Sequence, residues 1–85
     1  MEMIYNSATF CVVEIYADGL DPERQAGFEI MDKASRREAY IDGALAERFR
    51  EEVAELAGDG EASVEDIDDY LATFQSLMRQ PMSVH

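Results

Sequence analysis

Carboxylates are the commonest groups in this chain that could do chemistry. The 85 residues include 19 Asp and Glu against 7 Lys and Arg, a formal net charge of −12. The densest stretch, here called the acidic ridge, runs from Glu51 to Asp69 and contains nine acids and no basic residue. One interpretation is that the acidic ridge binds a basic partner. The other is that it consists of solvated helix faces, with some acids near a helix N-terminus where they stabilise the helix. The partner interpretation names Glu51, Glu55, Glu65, Asp68 and Asp69 as contacts, with Tyr70 and Leu77 as apolar anchors.

Nucleophilic catalysis needs a nucleophile, a base and an orienting group. The single histidine, His85, is the last residue, and the single cysteine, Cys11, lies among apolar residues of an expected strand. No catalytic residue emerges from this pattern, and we expect the protein not to be an enzyme.

Metal and cofactor sites are equally unsupported. Zinc usually takes four ligands from Cys, His or carboxylates, whereas this chain has one Cys and one His. The acids around Asp59 do not follow the alternating spacing of an EF-hand loop. No glycine-rich phosphate loop is present. We therefore expect no metal and no cofactor.

The charge balance also limits the partners. A net charge of −12 repels nucleic acid and anionic membranes and favours a basic protein partner. Because a chain this short has a thin core, a homodimer is a further expectation. The alternative is a nucleic-acid mimic that blocks a basic nucleic-acid-binding protein. No apolar run approaches 18 residues and no signal-like segment opens the chain, so we expect a cytoplasmic protein.

The first half of the chain reads as strands. Residues 1–5 form a short apolar run, and FCVVEIY at 10–16 is rich in β-branched and aromatic residues. Turn formers fill residues 17–26, followed by an alternating run at 28–32 and a returning strand at 38–41 that Asp42-Gly43 ends. Short connections predict antiparallel neighbours.

The second half changes to helical spacing. Leu45, Phe49, Val53 and Leu56 share one helix face, with Asp42 as the cap and Gly58 as a left-handed end. A second helix begins at Ser63, whose hydroxyl forms a capping box with Asp66, and continues through Met78 until Pro81 ends it.

These elements predict an α+β fold: an antiparallel meander of three or four strands followed by a two-helix hairpin packed on one sheet face. The whole chain, 1–85, forms one domain, with strands at 1–43, the helical hairpin at 44–80 and a tail at 81–85. The expected core joins the helix residues to one face of the sheet and contains Cys11, Val13, Ile30, Leu45, Phe49, Val53, Leu56, Ile67, Leu71, Phe74 and Met78.

Five short segments carry a family signal: FEIMDK at 28–33, YIDGALAERF at 40–49, the ending QP-x-x-VH at 80–85, MIYN at 3–6 and CVVE at 11–14. Together they resemble a domain-of-unknown-function family of short, mostly beta-proteobacterial proteins. The resemblance covers nearly the whole chain. It implies a bacterial, cytoplasmic setting and supplies no activity and no catalytic residue.

Overall fold

The computed structural model describes residues 2–16, 25–58 and 63–79. Its first half is a four-stranded antiparallel sheet in the order β1-β2-β3-β4, a simple meander. Two helices follow, and the predicted α+β architecture is confirmed. Residues 17–24 of the predicted turn segment, residues 59–62 and residues 80–85, which include the predicted tail at 81–85, lie outside the described residues. The predicted end of the turn segment at residue 26 was wrong, because a strand already begins at Gln25. The strands are β1 (Glu2–Asn6), β2 (Phe10–Tyr16), β3 (Gln25–Asp32) and β4 (Arg37–Ile41).

The connection between β3 and β4 is built around Asp32. Its carboxylate accepts hydrogen bonds from the backbone N–H groups of Ala34 (3.0 Å) and Ser35 (3.4 Å). Its backbone carbonyl accepts from the N–H of Arg36 (2.9 Å), which has a left-handed φ of 58°. The side-chain amide of Gln75 donates to the second carboxylate oxygen at 3.1 Å. This one buried acid therefore shapes the turn and ties it to the C-terminal segment.

The first helix, α1 (Gly43–Gly58), begins directly after Asp42, as predicted. The Asp42 carbonyl accepts from the Ala46 N–H at 3.2 Å. Gly43 has a φ of +58°, a conformation that glycine adopts without steric cost. The prediction for Gly58 was wrong, because Gly58 is the last helical residue and its φ is not positive.

The second helix, α2 (Val64–Ala72), opens with the predicted capping box. The Ser63 hydroxyl accepts from the Asp66 N–H at 3.1 Å, and the Asp66 carboxylate accepts from the Ser63 N–H at 3.4 Å. The predicted continuation to Met78 was wrong: α2 ends at Ala72, and a 3-10 turn follows at Gln75–Leu77.

Tertiary contacts explain this early end. The Thr73 hydroxyl donates to the Tyr70 carbonyl at 2.6 Å, a bond that competes with the helical ladder. The chain then becomes extended at Met78, and Arg79 exchanges two backbone hydrogen bonds of 2.9 Å with Glu38 of β4. Within 2–16, 25–58 and 63–79, no helix is long and apolar enough to cross a membrane.

The helices cover one face of the sheet and form the main core with it. Phe28 of β3 and Phe49 of α1 have ring centroids 4.9 Å apart, and Phe74 meets Phe49 edge-on at 5.5 Å. The predicted residues Ile30, Phe49, Leu71, Phe74 and Met78 are confirmed as core, and Val53 and Ile67 pack against it. The complete buried cluster is Phe10, Val12, Phe28, Ile30, Ala39, Ile41, Ala46, Phe49, Leu71, Phe74 and Met78.

Four predicted core residues lie outside both this cluster and the residues packed against it, among them Leu56, which is only partly buried. Leu45 is 43% exposed, because α1 turns Ala46 rather than Leu45 toward the sheet. Cys11 and Val13 lie on the opposite sheet face, since strand side chains alternate and Phe10 and Val12 occupy the helix side. Cys11 is buried there, whereas Val13 is only partly buried.

Candidate protein-binding site

The acidic ridge is divided between the two helices. Glu51 and Glu55 lie on α1, and Glu65 and Asp69 lie on α2; all four side chains are exposed. Asp68 differs from them, because its side chain is partly buried. The structure thus leaves four of the five predicted acidic contacts open to solvent.

Asp68 is hydrogen-bonded to the first strand of the sheet and to the turn that follows this strand. One of its carboxylate oxygens accepts hydrogen bonds from the hydroxyls of Tyr5 and Ser7, both at 2.8 Å. The Ser7 hydroxyl in turn accepts from the Thr9 and Phe10 N–H groups at 3.1 and 3.0 Å. Burial, and then the hydrogen bond to Asp68, raise the pKa of Tyr5. Asp68 therefore connects α2 to the β1–β2 turn, a role that sequence spacing alone did not reveal.

An open cleft of about 450 Å³ lies along this junction. It brings together Glu65, Asp68 and Asp69 of α2 with Thr9 and Gln75. The cleft does not include the other predicted partner residues, Glu51, Glu55, Tyr70 and Leu77.

The two predicted apolar anchors lie in different environments. Tyr70 is partly buried and packs on Phe49 and Phe74, with centroid distances of 5.9 and 5.5 Å. Burial, followed by a hydrogen bond with Glu52, raises the pKa of Tyr70. Leu77 is 52% exposed in the 3-10 turn, and it is the freer of the two to contact a partner.

The sheet face opposite the helices, here called the open face, carries a second group of exposed apolar side chains. Met3 is 57% exposed and Tyr40 is 52% exposed, while Met31 is 36% exposed. The register puts Met3, Val13, Glu29 and Tyr40 in one row across all four strands. By register this face also includes Asn6, and its members are Met3, Asn6, Cys11, Val13, Ile15, Gly27, Glu29, Met31, Glu38 and Tyr40.

A pair of carboxylates lies within this apolar face. Glu29 is opposite Tyr40 and Glu38 is opposite Met31, so the two acids are diagonal neighbours on β3 and β4. A hydrogen bond with Glu38, partial burial and charge repulsion raise the pKa of Glu29 to about 7. Arg79 pairs with Glu38 through its backbone, but their side chains form no ion pair.

Sequence analysis missed the open face as a candidate site. The alternation of FEIMDK does carry a signal, because it places Glu29 and Met31 on the side opposite Phe28 and Ile30. The contact between Glu29 and Glu38 depends on the β3–β4 register, which that alternation does not specify.

The chain has a single cysteine, Cys11, and a single histidine, His85. Cys11 is a free, buried thiol, and His85 lies outside the described residues. Across the described ranges, no three His, Cys, Asp or Glu side chains converge in a way that could hold a metal ion.

Comparison with known proteins identifies relatives but no activity. Protein BTH_I0359 of Burkholderia thailandensis is 48% identical over 86 residues, which span 100% of both chains. No solved structure matches the chain. A family described as "Protein of unknown function (DUF3567)" matches residues 1–85. The resemblance noted from the sequence is thereby confirmed, and the chain belongs to the DUF3567 family.

Proposed function

We propose that this protein is a non-catalytic protein-interaction module and that the open face is its main binding surface. The observation that carries the proposal is the exposure of Met3, Met31 and Tyr40 on one side of a sheet whose other side is covered by helices. Clustered apolar side chains at a protein surface are typical of sites where another protein binds. The surrounding acids would then favour a basic partner and speed its association.

The proposal also covers the cellular location of the protein and its oligomeric state. The family match supports a bacterial protein, and we place the interaction in the cytoplasm. The proposal's second arrangement is a homodimer in which the open faces of two copies pack together.

A nucleic-acid mimic is the second candidate function. Glu51 and Glu55 are exposed four residues apart on α1, about 6 Å along the helix axis. Glu65 and Asp69 are exposed with the same spacing on α2. Such rows could present carboxylates to a protein that normally binds phosphates. In this candidate the partner contacts the helices, whereas in the first it contacts the open face of the sheet. An experiment that locates the contact therefore separates the two.

Site-specific photo-crosslinking in the native bacterium makes that separation. A photoreactive amino acid is placed at Val13 or Met31 on the open face, at Glu55 on the acidic ridge, and at Ala34 in the β3–β4 turn as an exposed control outside both surfaces. The full-length chain is used, and its fold is checked by circular dichroism.

The proposed function predicts discrete adducts from Val13 and Met31 that are absent from Ala34. Adducts from Glu55 alone would favour the mimic. Equal labelling at all positions, or no adduct at the open face, would overturn the proposal. Adducts that have twice the mass of the chain and contain only its own peptides would identify a homodimer.

A further inference from the structure

The open face contains two neighbouring acidic side chains, and they indicate the chemistry of its partner. Glu29 and Glu38 are hydrogen-bonded diagonal neighbours on β3 and β4, and the side chains next to them on this face, Val13, Met31 and Tyr40, belong to none of the acidic or basic residue types. Two ionised carboxylates this close would repel each other. A proton held by Glu29 relieves that repulsion, and a cation from a partner would take the place of the proton.

We infer that the open face binds a basic segment of another protein, whose Lys or Arg side chain lies between Glu29 and Glu38 while apolar side chains on either side of it contact Met3, Val13 and Met31. This inference rests on the proposed function and adds the chemical class of the partner. A cation at this position would replace repulsion between the two acids by attraction to both.

A second copy of the chain fits this face less well. A two-fold dimer packs the same patch against itself, which would bring two Glu29–Glu38 pairs into one interface. Each copy also carries a net charge of −12. Burying several like charges without a counter-charge is costly, so charge complementarity favours a basic partner over a copy.

Arg79, which pairs with Glu38 through the backbone, forms no ion pair with it and does not neutralise the two acids. Arg79 is joined to Glu38 by backbone hydrogen bonds at the edge of β4, and its side chain is exposed. Among the described residues, Glu38 is the charged neighbour that raises the pKa of Glu29. The two carboxylates therefore retain their capacity for an external cation.

The experiment uses three synthetic peptides of equal length as probes, with alternating Leu–Lys, Leu–Gln or Leu–Glu sequences. Each is titrated into the isotope-labelled full-length protein, and amide chemical shifts report both affinity and position. The inference predicts that the Leu–Lys peptide binds most tightly and that the largest shifts fall on β2, β3 and β4 around Glu29. Largest shifts on α1 or α2, or equal affinity for the three peptides, would overturn it.

One double variant and a control test the role of the pair. Glu29→Gln combined with Glu38→Gln keeps the size of both side chains and is expected to weaken Leu–Lys binding at least about tenfold. Glu47→Gln removes one exposed charge elsewhere on α1 and should change the affinity less than about twofold. An equal loss in both would show a non-specific charge effect and overturn the inference.

The pH dependence gives a readout that general acidity would not produce. Because Glu29 retains a proton near neutral pH, affinity for the Leu–Lys peptide should rise between pH 6 and pH 8 as that proton is lost. The slope should disappear in Glu29→Gln and persist in Glu47→Gln. A flat profile in the unmodified protein would contradict the inference.

Failure here is distinguishable from failure of the proposed function. Cellular adducts at Val13 without charge-dependent peptide binding would retain the interaction module and exclude this partner chemistry. Sedimentation of the isolated protein as a dimer, with the amides of β2 and β3 shielded, would instead assign the face to a second copy and overturn the inference.

Discussion

The side chain of Tyr40 lies across Gly27 of the neighbouring strand. A Cβ atom built on Gly27 would come 2.9 Å from the Tyr40 hydroxyl oxygen and 2.2 Å from the Ile41 carbonyl oxygen. Both distances are shorter than any normal contact of a Cβ atom. Gly27 is buried as a result, and the missing side chain is what allows β3 and β4 to approach here.

Gly27→Ala should therefore be strongly destabilising. The added methyl meets a backbone atom that cannot rotate away, so β3 or β4 has to shift, at a cost of about 3 kcal/mol. Gly58→Ala is the matched control, because a Cβ there meets nothing within 4 Å and Gly58 is helical. It should be neutral or stabilise by up to about 1 kcal/mol. Urea unfolding of both variants checks this, and a small loss for Gly27→Ala would contradict the described packing.

Glu29→Gln should raise stability at neutral pH and lose this effect in acid. The folded pKa of Glu29 lies near 7, above that of an unfolded carboxyl, so the folded state holds the extra proton. Stability from this group is thus fully present at low pH and is lost as pH rises from about 4.5 through 7. The gain from the substitution should be about 1 kcal/mol or less, because water screens a partly exposed pair. Melting temperatures at pH 5 and pH 8 measure it, and an equal gain at both values would exclude the mechanism.

Asp32→Ala should destabilise the fold more than any exposed acidic substitution. Burial alone would raise the pKa of Asp32, but hydrogen bonds from the Ser35 backbone and the Gln75 amide hold it below its usual value. Its contribution is present above the unfolded pKa and is lost as pH falls below about 4. The loss at pH 7 should be about 2–3 kcal/mol, and Gln75→Ala should lose about 1 kcal/mol. Chemical unfolding at pH 7 and pH 3 compares them, and a loss that persists unchanged at pH 3 would argue against an ionised Asp32.

Local sequence signals predicted the parts of the fold that depend on near neighbours. The Ser63–Asp66 capping box and the β2 strand were predictable for this reason. The choice of sheet face was not, because Phe10, Cys11, Val12 and Val13 are all apolar and show no alternation. The end of α2 was also missed, because Phe74 and Met78 fit both a continuous helical stripe and the observed turn.

The candidate site likewise combines features that local sequence predicts with features that depend on residues far apart in the chain. Exposed acids on α1 and α2 could be inferred from composition and helical spacing. The Glu29–Glu38 pair could not, since the residues are nine positions apart and meet only through the β3–β4 register. Asp68 was grouped with the exposed acids because its hydrogen-bond donors, Tyr5 and Ser7, lie about sixty residues earlier. No residue close to Asp68 in the sequence indicates this contact.

Phe74→Ala should cost about 3–5 kcal/mol. Phe74 contacts the rings of Phe49 and Tyr70 at 5.5 Å and is part of the buried cluster, although it lies beyond the end of α2. Leu77→Ala provides the contrast, since Leu77 is about half exposed, and should cost less than about 1 kcal/mol. The two shifts in the urea midpoint should differ severalfold, and similar shifts would show that the 3-10 segment packs differently.

Asp68→Ala and Asp69→Ala should differ sharply although the residues are adjacent. The Asp68 carboxylate accepts from the hydroxyls of Tyr5 and Ser7 and fastens α2 to the start of the sheet. Its removal leaves both donors without this acceptor and should cost about 1–3 kcal/mol. Asp69 is exposed, so its removal should change stability by less than about 0.5 kcal/mol.

A double-mutant cycle with Tyr5→Phe isolates the Asp68 link. If the hydrogen bond to Tyr5 carries part of the loss, Tyr5→Phe should cost about 1 kcal/mol alone and clearly less in the Asp68→Ala background. Additive losses would show that the two groups act independently. Asp69→Ala combined with Tyr5→Phe serves as the control and should be additive, because no Asp69 atom accepts a hydrogen bond from Tyr5 in the described part of the chain. The cycle thus determines whether Asp68 mainly stabilises the contact between α2 and the sheet. In that case Asp69, its exposed neighbour in the same cleft, is the better candidate to contact a partner.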